Sequence, residues 1–120
     1  MRERGVEELK ERMKRFGLAV IRLAGKLPPG RAAGVIANQM VKSGTSAGAN
    51  YRAACRARSK ADFVSKMGVV EEELDETLYW LEVCVAAGFL SSADVDELLQ
   101  EGDELLAITV SSIRTARRRS

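Results

Sequence analysis

Histidine is missing from this chain of 120 residues, and with it the usual general base at neutral pH and the commonest metal ligand. Cysteine is nearly as scarce. Cys55 and Cys84 are too few for a disulfide framework or a cysteine-built metal site. Both fall in stretches of helical pattern, so they read as buried thiols in a reducing compartment. No apolar run reaches the ~18 residues needed to span a bilayer. The opening Met1–Arg12 lacks the apolar core and small-residue cleavage site of a signal peptide. The expectation is a cytoplasmic protein without membrane contact. Two prolines and 5% aromatic residues complete the profile of a helical protein, of a length that suits a single domain over residues 1–120.

Charge is abundant but unevenly placed. The chain holds 19 Lys and Arg against 17 Asp and Glu, a net charge of +2. Residues 1–60 carry 14 basic against 4 acidic side chains, a net +10, and residues 61–120 carry 5 against 13, a net −8. Such a division implies either a basic surface for an anionic partner or two halves that attract each other. In a compact helical fold the halves must touch, so mutual neutralisation accounts for part of it.

Apolar residues recur every three or four positions through four segments, the period of a helix with one buried face. The expected helices span about 6–26, 31–57, 60–87 and 92–116. The first buries Leu9, Met13, Phe16, Val20, Leu23 and Leu27 and stops at Pro28-Pro29-Gly30. The third carries Phe63, Met67, Val70, Leu74, Leu78, Leu81 and Val85. Ser59 is placed to cap its start and Gly88 to close it. Ser91 or Ser92 caps the fourth, whose apolar face is Val95, Leu98, Leu99, Leu105, Leu106, Ile108, Val110 and Ile113. Short links between four such helices imply an all-α fold, an antiparallel up-down-up-down four-helix bundle.

The second helix departs from this pattern. Its stripe runs Ile36, Met40, Ser43, Ala47, Asn50, Ala54 and Ala57, with small or polar residues where a soluble bundle would place Leu or Ile. Gly44 and Gly48, four apart, add to a small-residue surface that lets a neighbouring backbone come close. An inward Asn50 needs a hydrogen-bond partner, at a cost of roughly 1–3 kcal/mol if it has none. The acids of the run Glu71–Glu82 suggest that this helix docks on the third, with Glu72 and Glu76 the best partners for Arg52 or Arg56. Such a pair would fix register more than it would stabilise.

The run VKSGTSAGANYRAACRARSKADFVSKMG, followed by EEELDETLYWLE and AITVSSIRTARRR, resembles the four helix bundle protein family, also called 23S rRNA-intervening sequence proteins. Some of its members are encoded inside insertions in bacterial large-subunit ribosomal RNA genes. The resemblance extends from about Met13 to Arg117. Its most specific elements are Ser43, Thr45, Ser46 and Asn50, taken with the Glu-Thr-x-Tyr-Trp-Leu run that includes Glu76, Tyr79 and Trp80. It implies an antiparallel four-helix bundle that assembles into a ring, typically a homopentamer. The accessory variability protein of diversity-generating retroelements looks like a relative, which adds a reverse transcriptase and RNA or DNA as implied partners. Many relatives carry an acidic residue shortly after the helix-two Asn, where this chain has Ala53 and Ala54.

No catalytic, cofactor-binding or metal-ligating residues are expected. Ser43, Thr45 and Ser46 have no activating base, and back-bonding to helix carbonyls explains them better. The acids at Glu71–Glu82 lack the Glu-x-x-His pairs of a di-metal bundle. Arg12, Arg15, Lys42, Arg56, Arg114, Arg117, Arg118 and Arg119 are candidates for a phosphate-binding surface, which repetition around a ring would strengthen. Tyr51, Tyr79, Trp80 and Phe89 exceed what a core of small residues would hold, so some should lie at subunit contacts. The expected function is therefore a non-enzymatic, oligomeric interaction module binding RNA or DNA. The alternative is a protein-binding scaffold or accessory subunit with no nucleic-acid contact.

Overall fold

The computed structural model describes residues 2–119. They form four helices, α1 (Arg2–Ala24), α2 (Arg31–Cys55), α3 (Lys60–Ala86) and α4 (Ser92–Arg118). Each link reverses the chain, so sequence neighbours pack antiparallel and α4 returns beside α1. The result is a four-helix bundle with extents of 50 × 23 × 18 Å.

Local chemistry sets the helix ends. After Cys55 the Arg56 and Ala57 amides bond back to the carbonyls of Ala53 and Ala54, at 3.1 and 3.0 Å. This i→i−3 tightening ends α2 two residues short of Ala57, so Ala57 belongs to the turn rather than to the stripe. Ser59 caps α3 by accepting the Asp62 amide. At the far end of α3, Gly88 takes φ +78° and the amides of Gly88 and Phe89 reach Val85 and Cys84, the doubled bonding of a glycine-closed helix. Ser91, rather than Ser92, caps α4. Its hydroxyl accepts from the Asp94 amide while the Asp94 carboxylate accepts from the Ser91 amide, a reciprocal box.

Bulk in the core comes from α1 and α3. Met13, Phe16, Val20 and Leu23 meet Met67, Val70, Leu74, Leu78 and Leu81, all buried. The buried line of α2 is Met40, Ser43, Gly44, Ala47, Tyr51 and Ala54, small residues apart from Met40 and Tyr51. It lets the three helices close up. A Cβ on Gly44 would sit 3.0 Å from three Val20 carbons, and one on Gly17 would sit 3.2 Å from the Gly44 carbonyl oxygen.

On α4 the buried line is Val95, Gly102, Leu105, Thr109 and Ile113. Leu106 and Val110, expected inside, lie half-buried on its flanks. Position 102 takes glycine because a Cβ there would come within 2.5 Å of Leu78 Cδ2 and 3.2 Å of Phe16 Cε1. Thr109 is tolerated inside because its hydroxyl donates to the Leu105 carbonyl at 2.8 Å. Among the described residues no helix is long and apolar enough to cross a membrane.

Candidate functional site

The small-residue stripe builds a polar seam between α2 and α3. Ser43 and Thr77, both buried, share a hydrogen bond of 2.7 Å. Thr77 Oγ1 in turn donates to the Glu73 carbonyl at 2.7 Å, so the Ser43 hydroxyl is the donor to Thr77. One turn along, the Asn50 amide donates to Ser46 O and Oγ, each at 2.9 Å. Ser46 Oγ then donates to the Glu73 carboxylate at 3.0 Å. Asn50 is thus half-buried rather than fully inward, and its partner lies one turn back on its own helix. Thr45 faces outward and back-bonds to the Val41 carbonyl at 2.7 Å.

The expected ion pairs of Arg52 or Arg56 with Glu72 or Glu76 are not formed among the described residues. Glu72 is on the outer stripe of α3, and Glu76 accepts from Trp80 Nε1 at 3.1 Å. The acid facing α2 is Glu73. One residue turns a helix by about 100°, enough to exchange the inward acid for its exposed neighbour. Every link in this seam joins a side chain to another side chain or to a helix carbonyl. Beside it, Trp80 stacks edge-on against Tyr79 with ring centroids 5.2 Å apart.

The candidate cations fall into three settings. Arg12 is engaged within the bundle. Its guanidinium donates through two nitrogens to both carboxylate oxygens of Glu101, at 2.9 and 2.7 Å, and to Glu104 at 3.0 Å. The Glu101 hydrogen bonds hold its pKa above the usual arginine value, against a smaller opposing effect of burial. Arg15 shares the α1–α4 surface with Glu97 and Glu101, where Lys26 also approaches Asp94 at 3.9 Å. Here the basic and acidic halves neutralise each other. Lys42 is exposed midway along α2.

The third setting is one end of the bundle, where the antiparallel order gathers the α2–α3 turn and the C-terminus of α4. Arg56, Arg58 and Lys60 come from the turn and Arg117, Arg118 and Arg119 from α4, all exposed. The Lys60 ammonium donates to the Arg119 carbonyl at 2.5 Å, which docks the two segments together. Among the described residues none of these six cations is in an ion pair. Glu7 and Asp62, acids of the same end, are bonded instead to Lys10 at 3.0 Å and Lys66 at 2.8 Å. Arg114 stands on the outer surface of α4 beside Arg118. Arg58 and Lys60 were legible as part of this cluster only from the short loop that brings the turn beside the α4 end.

Next to the cluster, α1 and α4 diverge. Beyond the Arg12–Glu101 contact the two helices leave an open groove of about 1140 Å³, lined by residues including Tyr51, Phe63, Ile108, Ser112, Thr115 and Arg119. Tyr51 is buried, and burial holds its phenol pKa well above the ordinary value, reinforced by the adjacent Cys55 thiol.

These features define a class of protein: a small antiparallel bundle with a polar seam between its second and third helices and a concentration of exposed cations at one end. Residues 7–111 match the family described as 23S rRNA-intervening sequence protein, and the chain belongs to that family. Among solved structures it is similar to the 1.70 Å crystal structure of a protein of unknown function from the S23 ribosomal protein family of Bacteroides thetaiotaomicron VPI-5482. The two are 30% identical, the match covers 88% of this chain and 97% of that one, and the TM-score is 0.81. No curated protein is significantly similar to this chain. The family match includes Arg56, Arg58 and Lys60 but ends before Arg114.

Proposed function

We propose that this protein is a non-enzymatic cytoplasmic interaction module that binds RNA or DNA through the basic end of the bundle. The observation that carries this reading is the cluster of Arg56, Arg58, Lys60, Arg117, Arg118 and Arg119, exposed and outside any ion pair among the described residues. A nucleic-acid backbone offers the repeated negative charge that such a cluster attracts, with release of its counterions. Arg12 and Arg15 belong to the α1–α4 contact in this reading and not to the interface.

Self-association accompanies it, supported by separately exposed apolar side chains. Leu18 and Ile21 of α1 and Val35 of α2 are 42%, 44% and 55% exposed, and Tyr79 of α3 is 58% exposed. Large apolar side chains at such exposure are what copies of the chain would cover. The ring, typically pentameric, that family resemblance implies would repeat the basic end on one face and raise its avidity. A reverse transcriptase or another protein is a further partner implied by that resemblance alone.

The test is binding to labelled RNA and duplex DNA across a salt series, with light scattering on the same samples. Replacing Arg117, Arg118 and Arg119 with Ala should leave Tm nearly unchanged, because exposed terminal charges contribute little to stability. Affinity should fall and the salt dependence flatten, by about 0.7–0.9 in the slope of log affinity against log salt for each phosphate that is no longer neutralised. Equal binding by both proteins would remove the α4 arginines from the interface. No retardation by the native protein at low salt would leave the scaffold alternative, with these arginines serving only the α4 dipole and solubility.

A further inference from the structure

The open groove between the N-terminal half of α1 and the C-terminal half of α4 adjoins the basic end and shares Arg119 with it. We propose that this groove receives unpaired bases of a single-stranded nucleic acid whose phosphates lie along Arg56, Arg58, Lys60 and Arg117–Arg119. The proposal rests on the basic-end reading and narrows it from nucleic acids in general to single strands.

Three features support that choice of occupant. The volume, about 1140 Å³, exceeds the roughly 300–1,000 Å³ of ordinary small-molecule sites, so the groove suits a segment of chain. Its walls are small and partly hydroxylated on α4, at Ala107, Ser111, Ser112 and Thr115, over an apolar floor that includes Phe63 and Ile108. Flat rings lie well against small side chains, and the hydroxyls can hydrogen-bond to base edges. Finally, charge complementarity is on the rim and not in the floor. The cations would hold a duplex and a single strand alike, but only a single strand has free base faces to place beside an aromatic ring. The bases of a duplex are stacked and paired, and would leave the groove empty.

The native protein carries its own reporter. Cys55 lines the groove and is half-buried, whereas Cys84 is fully buried, so alkylation of the folded protein by iodoacetamide reads Cys55. A saturating short RNA strand of mixed sequence should slow that alkylation on the order of tenfold. The same strand annealed to its complement, also at saturation, should leave the rate unchanged. Ala107→Leu, at an exposed position of α4 beside the groove, fills space without offering a ring to stack on and should weaken single-strand binding about tenfold, the loss of roughly one stacked base. Duplex affinity and Tm should not change. Equal protection of Cys55 by strand and duplex, or binding of both with protection by neither, would overturn the groove assignment while leaving the basic end intact. So would protection of Cys55 on raising protein concentration alone, which would give the groove to a second copy. If neither nucleic acid binds at low salt, both readings fall together.

Discussion

Helix α1 has two neighbours in the bundle and meets them in opposite ways. Against α2 it is nearly in backbone contact, because Gly17 and Gly44 answer one another across the α1–α2 contact and leave Val20 no room to spare, with Gly48 against Met13. Against α4 it is held by long side chains, Arg12 to Glu101 and Glu104 and Lys26 toward Asp94, and then it drifts away. The C-terminal half of α4 is also rich in small residues, at Ala107, Ser111 and Ser112, but α1 faces that region with Glu7 and Lys10. Small residues on one helix bring a neighbour close only where the neighbour is small too. Where it is not, the same residues leave a groove. The closed side of the molecule therefore supplies rigidity, and the open side supplies a groove beside the basic end that a ligand could enter.

The contrast is most sharply broken at Gly44. Gly44→Val adds carbon atoms to a site where even a Cβ lies 3.0 Å from Val20. Overpacking of this kind costs about 1–3 kcal/mol and sometimes more, and the upper part of that range is expected here because α1 and α2 backbones would have to separate. Chemical denaturation measures it, and a loss below about 0.5 kcal/mol would mean that the α1–α2 contact is looser than described. Adding the same bulk on the open side, at exposed Ser111, should cost little.

Next in size is the buried hydroxyl pair. Thr77→Val keeps shape but removes the group that accepts from Ser43 and donates to Glu73, leaving Ser43 with only the longer 3.4 Å approach to the Met40 carbonyl. A loss of about 1–2 kcal/mol is expected. The double variant with Ser43→Ala should recover part of it, since neither partner is then stranded. Failure of the second change to recover any stability would show that the two hydroxyls act independently.

On the open side the effects are smaller. Arg12→Ala should destabilise by about 0.5–1 kcal/mol, a modest figure for a partly exposed bidentate pair. The loss should shrink in high salt. An effect as large as that of Gly44→Val would mean that the α1–α4 contact is packed rather than bridged.

The smallest effect belongs to the cap of α4. Its bonds to Ser91 hold the Asp94 carboxyl pKa below the ordinary value. A folded-state pKa below the unfolded one contributes stability that is present above the unfolded value, about 3.9 for aspartate. That contribution is lost as pH falls through the lower folded value. Asp94→Asn should therefore lower Tm slightly at neutral pH, and the difference from native protein should vanish in strong acid. A difference that persists unchanged below the carboxylate range would show that charge has no part in the cap.

Much of this architecture was legible in the chain. The apolar period of α1 and α3, the proline stop after Leu27, the caps at Ser59 and Ser91 and the glycine closure at Gly88 are local chemistry, governed by residues within one or two turns. Close approach was also legible, since only small residues recur on the inner stripe of α2. Less legible was which of several equivalent residues is chosen. Glu73 rather than Glu72 or Glu76 meets α2, and Thr109 rather than Ile108 or Val110 enters the core, because a rotation of about 60–100° about the helix axis changes the partner without changing the pattern. The candidate cations were visible as a list but not as a surface: Arg12 and Arg15 turn toward α4, while Arg58 and Lys60 join Arg117–Arg119.

What the sequence by itself determined was four amphipathic helices, their limits and the order in which short links fold them back, because periodicity, caps and breakers act over a few residues. Only the tertiary structure decided which cations are neutralised and which stand together, and that α1 closes on α2 but opens from α4. Those outcomes depend on side chains some ninety residues apart, Arg12 and Glu101 among them, whose meeting is fixed by the packing angles of whole helices and not by any local pattern.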